Sequence, residues 1–212
     1  MRDQFPDPAL AAALLPDAFD RTDGAHDPAH LLRVWRNVAR IAASEGGDLQ
    51  ILQAATLLHD CVWVDKRDPA RAQASRRAAT RARALLAALD WPQDRIDATA
   101  HAIEAHSFSA GIPPETLEAG ILRDADRLDA MGFIGVARCF YTAGLNGGAI
   151  ADATDPAALA RPLDDAAFAL DHFTTKLLRL EAGFTTATGR RLAAERAARL
   201  TAFRKGLLDE LA

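Results

Sequence analysis

Three short, well-separated pieces of this chain carry metal-binding side chains: His30 in HLLRV, the pair His59-Asp60 in LLHDC, and Asp126 in DADRLDAMG. Two imidazoles and two carboxylates make a ligand set for one divalent ion, since imidazole suits Mn, Fe, Co, Ni or Zn and carboxylate suits the harder ions. An ion with only four protein donors keeps coordination positions for water and substrate, so the set reads as catalytic rather than structural. Asp124, two residues before Asp126, competes for the same role. Residues two apart point to nearly opposite sides of a helix, so the two aspartates are not joint ligands. Taken singly, a His or Asp on a helix is more often a cap or a surface group. The joint occurrence of all the pieces, in order, carries the reading.

The elements that must position these side chains read as helices throughout. The chain is rich in Ala, Leu and Arg, and apolar residues recur at helical spacing in nearly every segment. A first helix is predicted over about 7–19. The second has Asp27 as N-cap and Pro28 as first helical residue, and it stops near Gly46-Gly47. That puts His30 in the first turn, where unpaired N–H groups disfavour imidazolium. Leu31, Val34, Val38 and Ile41 form its core stripe. The third, DLQILQAATLLHD, ends at the His59-Asp60 pair. Adjacent residues diverge by ~100° on a continuous helix, but a helix end lets the chain turn both toward one ion.

Further helices are predicted over about 70–90, 92–107 and 114–130, the last delivering Asp126, and then over GFIGVARCFYTAG. An irregular stretch of about 144–162 follows, long enough to suggest a lid or a base-contacting element. Asp164 or Asp165 is the expected cap of a helix to about Leu180, and a last helix starts near Thr188. With no strand alternation and no internal repeat, the fold class is all-α, an irregular helical bundle.

At 212 residues the chain makes one domain, or one domain with a helical extension. A net charge of −4 argues against a general nucleic-acid binder. The run Arg67 to Arg83, interleaved with Ala, reads as a solvated helix face. Two cysteines, Cys61 and Cys139, make no disulfide framework, and a cytoplasmic location is expected. The first residues lack the basic region of a signal peptide, and no apolar run reaches the ~18 residues of a membrane span.

The segments HDPAHLLRV, LLHDCVWVDK, HSFSAG, RDADRLDAMGFIGVAR and RPLDDAAFALDHFTTKLLRL together resemble a bacterial subfamily of HD-domain metal-dependent phosphohydrolases, over roughly residues 25–210. The resemblance implies a single HD domain over 1–212, with an HD core of about 25–130 and a C-terminal helical extension over about 131–212. It implies His30, His59, Asp60 and Asp126 as ligands of one divalent metal ion, Mn, Mg, Co, Ni or Fe. Asp126 is preferred to Asp124 because it sits in an Ala-Asp-x-Leu context, here Ala125-Asp126-Arg127-Leu128.

Several residues stand near that set in sequence. Lys66 could neutralise a phosphate oxygen, with a solvated loop lysine as the plain alternative. Asp65 beside it could act as a general base. Arg127 could contact phosphate or pair with Asp124 or Asp129, and Arg33, one turn from His30, could reach the same cavity. His26 reads as an exposed His. His101 and His106, ~140° apart on a helix, have poor geometry for a second ion; His106 is the one expected to face the pocket, as a proton donor. Cys61 reads as a buried structural thiol.

The expected activity is hydrolysis of a phosphorylated small molecule, a nucleotide by resemblance, through a metal-activated water. Cleavage of a nucleoside triphosphate to monophosphate and pyrophosphate is the first choice. Phosphomonoesterase or phosphodiesterase action on a nucleotide, and a non-catalytic nucleotide-binding regulator, are the alternatives. No nucleic-acid or membrane partner is expected, and a homodimer is left open.

Overall fold

The computed structural model describes residues 1–20, 27–64, 68–107 and 109–211. Among them the secondary structure is helical, with no strands and one isolated parallel bridge, Ala149 to Phe168. None of the helices is long and apolar enough to cross a membrane. Contacts divide the chain into two units, Met1–Asp126 with Thr185–Thr188, and Arg127–Phe184 with Gly189–Ala212.

In the first unit the central element is α3 (Leu49–Leu58), in which every residue from Ile51 to Leu58 is buried. A helix apolar on all sides belongs in the interior, and α3 packs against α1 (Pro8–Leu14), α2 (Pro28–Glu45), α4 (Ala74–Ala88) and α5 (Gln93–His106). Its two buried polar residues are satisfied. The Gln53 side chain accepts from Asp7 N–H at 3.0 Å and donates to the Asp7 carbonyl at 2.7 Å, and Thr56 Oγ1 donates to Leu52 O. Asp48 caps α3 by accepting from Gln50 and Ile51 N–H, and its carboxylate also takes two hydrogen bonds from Arg95 of α5.

α2 begins as its sequence requires: Asp27 accepts the His30 N–H at 2.8 Å and Pro28 occupies the first turn. Leu31, Val34, Val38 and Ile41 are all buried. Gly46 ends the helix at φ 85°, a conformation open to glycine and costly for other residues. Asn37 Nδ2 donates to Ala125 O of α6 (Leu117–Asp129) at 3.0 Å and so ties α2 to the turn that carries Asp126.

The second unit contains α7 (Gly132–Leu145), α8 (Ala169–Thr175), a 3₁₀ segment (Leu177–Gly183) and most of α9 (Ala187–Leu211). Phe140, Phe173 and Phe203 cluster with centroids 5.9–6.1 Å apart. The irregular stretch before α8 is held by its own hydrogen bonds. Ala149 pairs with the backbones of Ala167 and Ala169, and Asp155 accepts from the N–H groups of Leu159, Ala160 and Arg161. Arg161 makes a two-point contact with buried Asp171 at 2.6 and 2.8 Å.

Local boundaries differ from expectation where tertiary bonds compete. α1 gives way to a 3₁₀ turn at Leu15–Asp17 around Pro16, and the Arg/Ala helix opens with a 3₁₀ turn, Pro69–Gln73. Neither Asp164 nor Asp165 caps α8. Asp164 closes a turn by accepting from Ala166 and Ala167 N–H, Asp165 accepts from His172 Nδ1 and Thr175 Oγ1, and α8 starts after Phe168, where the pairing with Ala149 ends. It breaks at Lys176, so the expected helix to Leu180 is α8 plus a 3₁₀ segment.

Candidate metal centre

His59 caps the C-terminus of α3, where carbonyls lack helical partners. Its Nδ1 lies 2.7 Å from the carbonyl of Thr56. A carbonyl only accepts, so the proton sits on Nδ1 and Nε2 offers a lone pair. That Nε2 is buried and has no hydrogen-bond partner among the described residues. His106 repeats the arrangement at the end of α5, with Nδ1 2.6 Å from the carbonyl of Ile103. Burial first, and the neighbouring His59 second, hold the His106 imidazole below its ordinary pKa and therefore neutral.

Four side chains from three helices and the turn after α3 converge. His30 Nε2 lies 3.8 Å from Asp60 Oδ2 and 3.7 Å from Asp126 Oδ1, and His59 Nε2 lies 3.6 and 4.0 Å from the same two oxygens. The two rings stand 5.5 Å apart by their centroids. These separations exceed hydrogen-bonding reach. They match donors around one ion, because bonds of ~2.0–2.2 Å place neighbouring donors ~3–4 Å apart. The His59 lone pair faces carboxylate oxygens, and a cation would turn that mutual repulsion into attraction. His30, His59 and Asp60 alone form a group whose donor atoms all lie within 4.8 Å of one another. The histidines are buried, while the Asp60 and Asp126 side chains keep 34% and 27% of their surface, so the carboxylate side is the one open to solvent.

Asp124 takes a different part. Fully buried, its carboxylate accepts the N–H and hydroxyl groups of Thr185 and Thr186, the best at 2.8 Å. It anchors residues 185 and 186, and Glu45 holds the same segment by accepting from Thr188 N–H. No sequence signal marked these threonines, because their partners are about 60 residues distant.

Other candidates fall as follows. His106 joins the cluster: its Nε2 is 3.9 Å from Asp60 Oδ1 and its ring meets His59 edge to face at 5.0 Å. Its Nδ1 is engaged by the Ile103 carbonyl, so Nε2 is the ring atom turned to the cluster. His101 stands apart and accepts from Glu115 N–H. Arg33 is half-buried on α2, one turn from His30. Arg127 is buried and donates to the Gly183 carbonyl at 2.7 Å. Cys61 is buried with Sγ toward Ala78 O, and burial pushes its thiol up to about 12. Lys66, Asp65 and His26 lie outside the described residues.

The sequence profile of the HD domain matches residues 29–131. Bacillus subtilis YpgQ is 33% identical over 181 residues, spanning 84% of this chain and 80% of YpgQ. The chain belongs to the HD-domain superfamily. His59 and Asp60 lie within the matched residues. Among solved structures, a Lactobacillus plantarum protein is 32% identical with a TM-score of 0.73, covering 95% of this chain and 96% of its own. The crystal structure of YpgQ in complex with ADP aligns at a TM-score of 0.70 and 28% identity, over 99% and 97% of the two chains. A predicted HD superfamily hydrolase from an uncultured Thermotogales bacterium aligns at 0.62 and 26% identity, over 96% and 92%. The HD-domain chain is thus similar throughout to proteins of the hydrolase superfamily.

Proposed function

We propose that this HD-domain protein is a metal-dependent phosphohydrolase that converts a nucleoside triphosphate to the monophosphate and pyrophosphate. The observation that carries the reading is the approach of His30 and His59 Nε2 to the carboxylates of Asp60 and Asp126 at 3.6–4.0 Å, with the donors of His30, His59 and Asp60 all within 4.8 Å of one another. A divalent ion there would supply an activated water and polarise a phosphoryl oxygen. The nucleotide is suggested by the ADP in the YpgQ complex.

The residues divide the work. Hydrogen bonding to Thr56 orients the His59 ring so that Nε2 is the atom left to bind an ion, and the carboxylates of Asp60 and Asp126 add the negative charge that favours a divalent cation. Lys66 and Arg33 are the proposed contacts to phosphate oxygens, with Asp65, the residue before Lys66 in sequence, as a candidate base. In the reaction the water oxygen bonds to the α phosphorus and the bond from that phosphorus to the α–β bridging oxygen breaks. Pyrophosphate leaves with the electron pair, and the displaced proton passes to solvent.

The test is a screen of nucleoside mono-, di- and triphosphates with Mn, Mg, Co and Ni, with products resolved. Pyrophosphate from triphosphates supports the reading. Orthophosphate release replaces it with a phosphomonoesterase, and tight nucleotide binding without turnover replaces it with a regulator.

A further inference from the structure

The two carboxylate oxygens of Asp60 face different imidazoles. Oδ2 faces the Nε2 atoms of His30 and His59 at 3.8 and 3.6 Å, while Oδ1 faces Nε2 of His106 at 3.9 Å. The His106 ring has its Nδ1 proton committed to the Ile103 carbonyl at 2.6 Å, so Nε2 presents a lone pair. Two acceptors therefore face each other across 3.9 Å, beyond hydrogen-bonding reach and with no proton between them. One water molecule suits that gap. With O–H···acceptor distances of ~2.8 Å it would see the acceptors about 90° apart, close to the angle between its own O–H bonds. Both hydrogens would be accepted, which leaves the oxygen lone pairs pointing outward as a nucleophile's must.

We propose that Asp60 Oδ1 and His106 Nε2 form a two-acceptor clamp that orients the attacking water. His106 is then a catalytic residue by accepting a hydrogen bond, not by giving up a proton. The inference rests on the phosphohydrolase reading above. The edge-to-face packing of His106 on His59 explains why the ring is buried there, but not why a nitrogen lone pair is turned toward a carboxylate oxygen.

Two variants test it. His106→Phe keeps a flat ring against His59 and removes both nitrogens; His106→Gln keeps an acceptor oxygen. The clamp predicts that His106→Phe lowers kcat about 100-fold. The KM for the nucleoside triphosphate and the calorimetric affinity for Mn²⁺ stay within about twofold of native, and His106→Gln recovers much of the loss. A crystal structure of the Mn²⁺-loaded native protein is expected to show a water bonded to both atoms, missing in His106→Phe. Native kcat in His106→Phe overturns the clamp and leaves the phosphohydrolase reading standing. A parallel loss of Mn²⁺ affinity overturns it by making His106 a metal donor. A native protein that binds Mn²⁺ but turns over no phosphorylated compound overturns the phosphohydrolase reading, and the clamp's role with it.

Discussion

His59 and His106 end two different helices in the same way. Each ring gives its Nδ1 proton to the carbonyl three residues back, at 2.7 and 2.6 Å, and the two rings meet edge to face with centroids 5.0 Å apart. A helix C-terminus leaves its last carbonyls without partners. A terminal His satisfies one of them and, in doing so, fixes its tautomer. Two helix ends thereby aim their Nε2 atoms toward one carboxylate, Asp60.

His59→Ala is expected to abolish both hydrolysis and Mn²⁺ binding. In the native protein, Mn²⁺ at about 100 times its Kd adds about 3 kcal/mol, a rise in Tm of several degrees by differential scanning fluorimetry. No such rise is expected in the variant. A full rise would place the ion elsewhere.

The two aspartates of DADRLDA should separate cleanly. Asp124→Asn puts an amide where four donors converge and should cost about 3 kcal/mol in urea unfolding, with Mn²⁺ affinity retained by the folded fraction. Asp126→Asn should do the reverse, with near-native stability and Mn²⁺ affinity lowered at least tenfold. Exchanged phenotypes would mean that the wrong carboxylate has been assigned to the ion.

Arg161 beside Asp171, aided by the Asp164 N–H, holds the Asp171 carboxyl below the usual carboxylate range. The folded state thus binds this proton less readily than the unfolded chain. The pair stabilises the protein at pH above the ordinary Asp value, and that contribution fades as pH falls through the depressed one. Asp171→Asn should be less stable than native at pH 7, with the difference narrowing below pH ~4. Melting curves from pH 7 to 2 measure this, and a constant difference would contradict it.

Gly135 lies against the Ala130 carbonyl so closely that a methyl group would overlap backbone oxygen. Backbone cannot swing aside as a side chain can, so Gly135→Ala should destabilise by about 2–3 kcal/mol. Chemical denaturation within 0.5 kcal/mol of native would show that α7 can shift.

Both thiols should be inert in the folded protein. Burial pushes Cys61 up to about 12 and Cys139 up to about 11, so neither forms thiolate near neutral pH. Ellman's reagent at pH 8 should label neither within minutes, and both after addition of denaturant. Rapid labelling of native protein would mean that one site opens.

Much of the architecture is written in local chemistry. Asp27-Pro28 starts α2 and Gly46 stops it, because caps and φ preferences act over a few residues. The apolar-rich sequence of α3 places the His59-Asp60 pair at the end of a buried helix, and the spaced His, His-Asp and Asp pieces name a candidate ligand set. These depend only on residue type and near neighbours, and the chain by itself determined them.

What only the tertiary structure decided involves partners far apart along the chain. Asp124 and Asp126 sit two residues apart in α6, and nothing local says that Thr185 and Thr186 claim the first while His30 and His59 face the second. Arg127 follows Asp126 directly, yet Gly183 takes its guanidinium. Asp164 has the chemistry of a helix cap but sits in a stretch held by Ala149 and Asp171, so the helix begins later. In each case several groups compete for one buried hydrogen-bonding site. The winner is set by packing that brings distant segments together, which no pattern of neighbouring residues encodes.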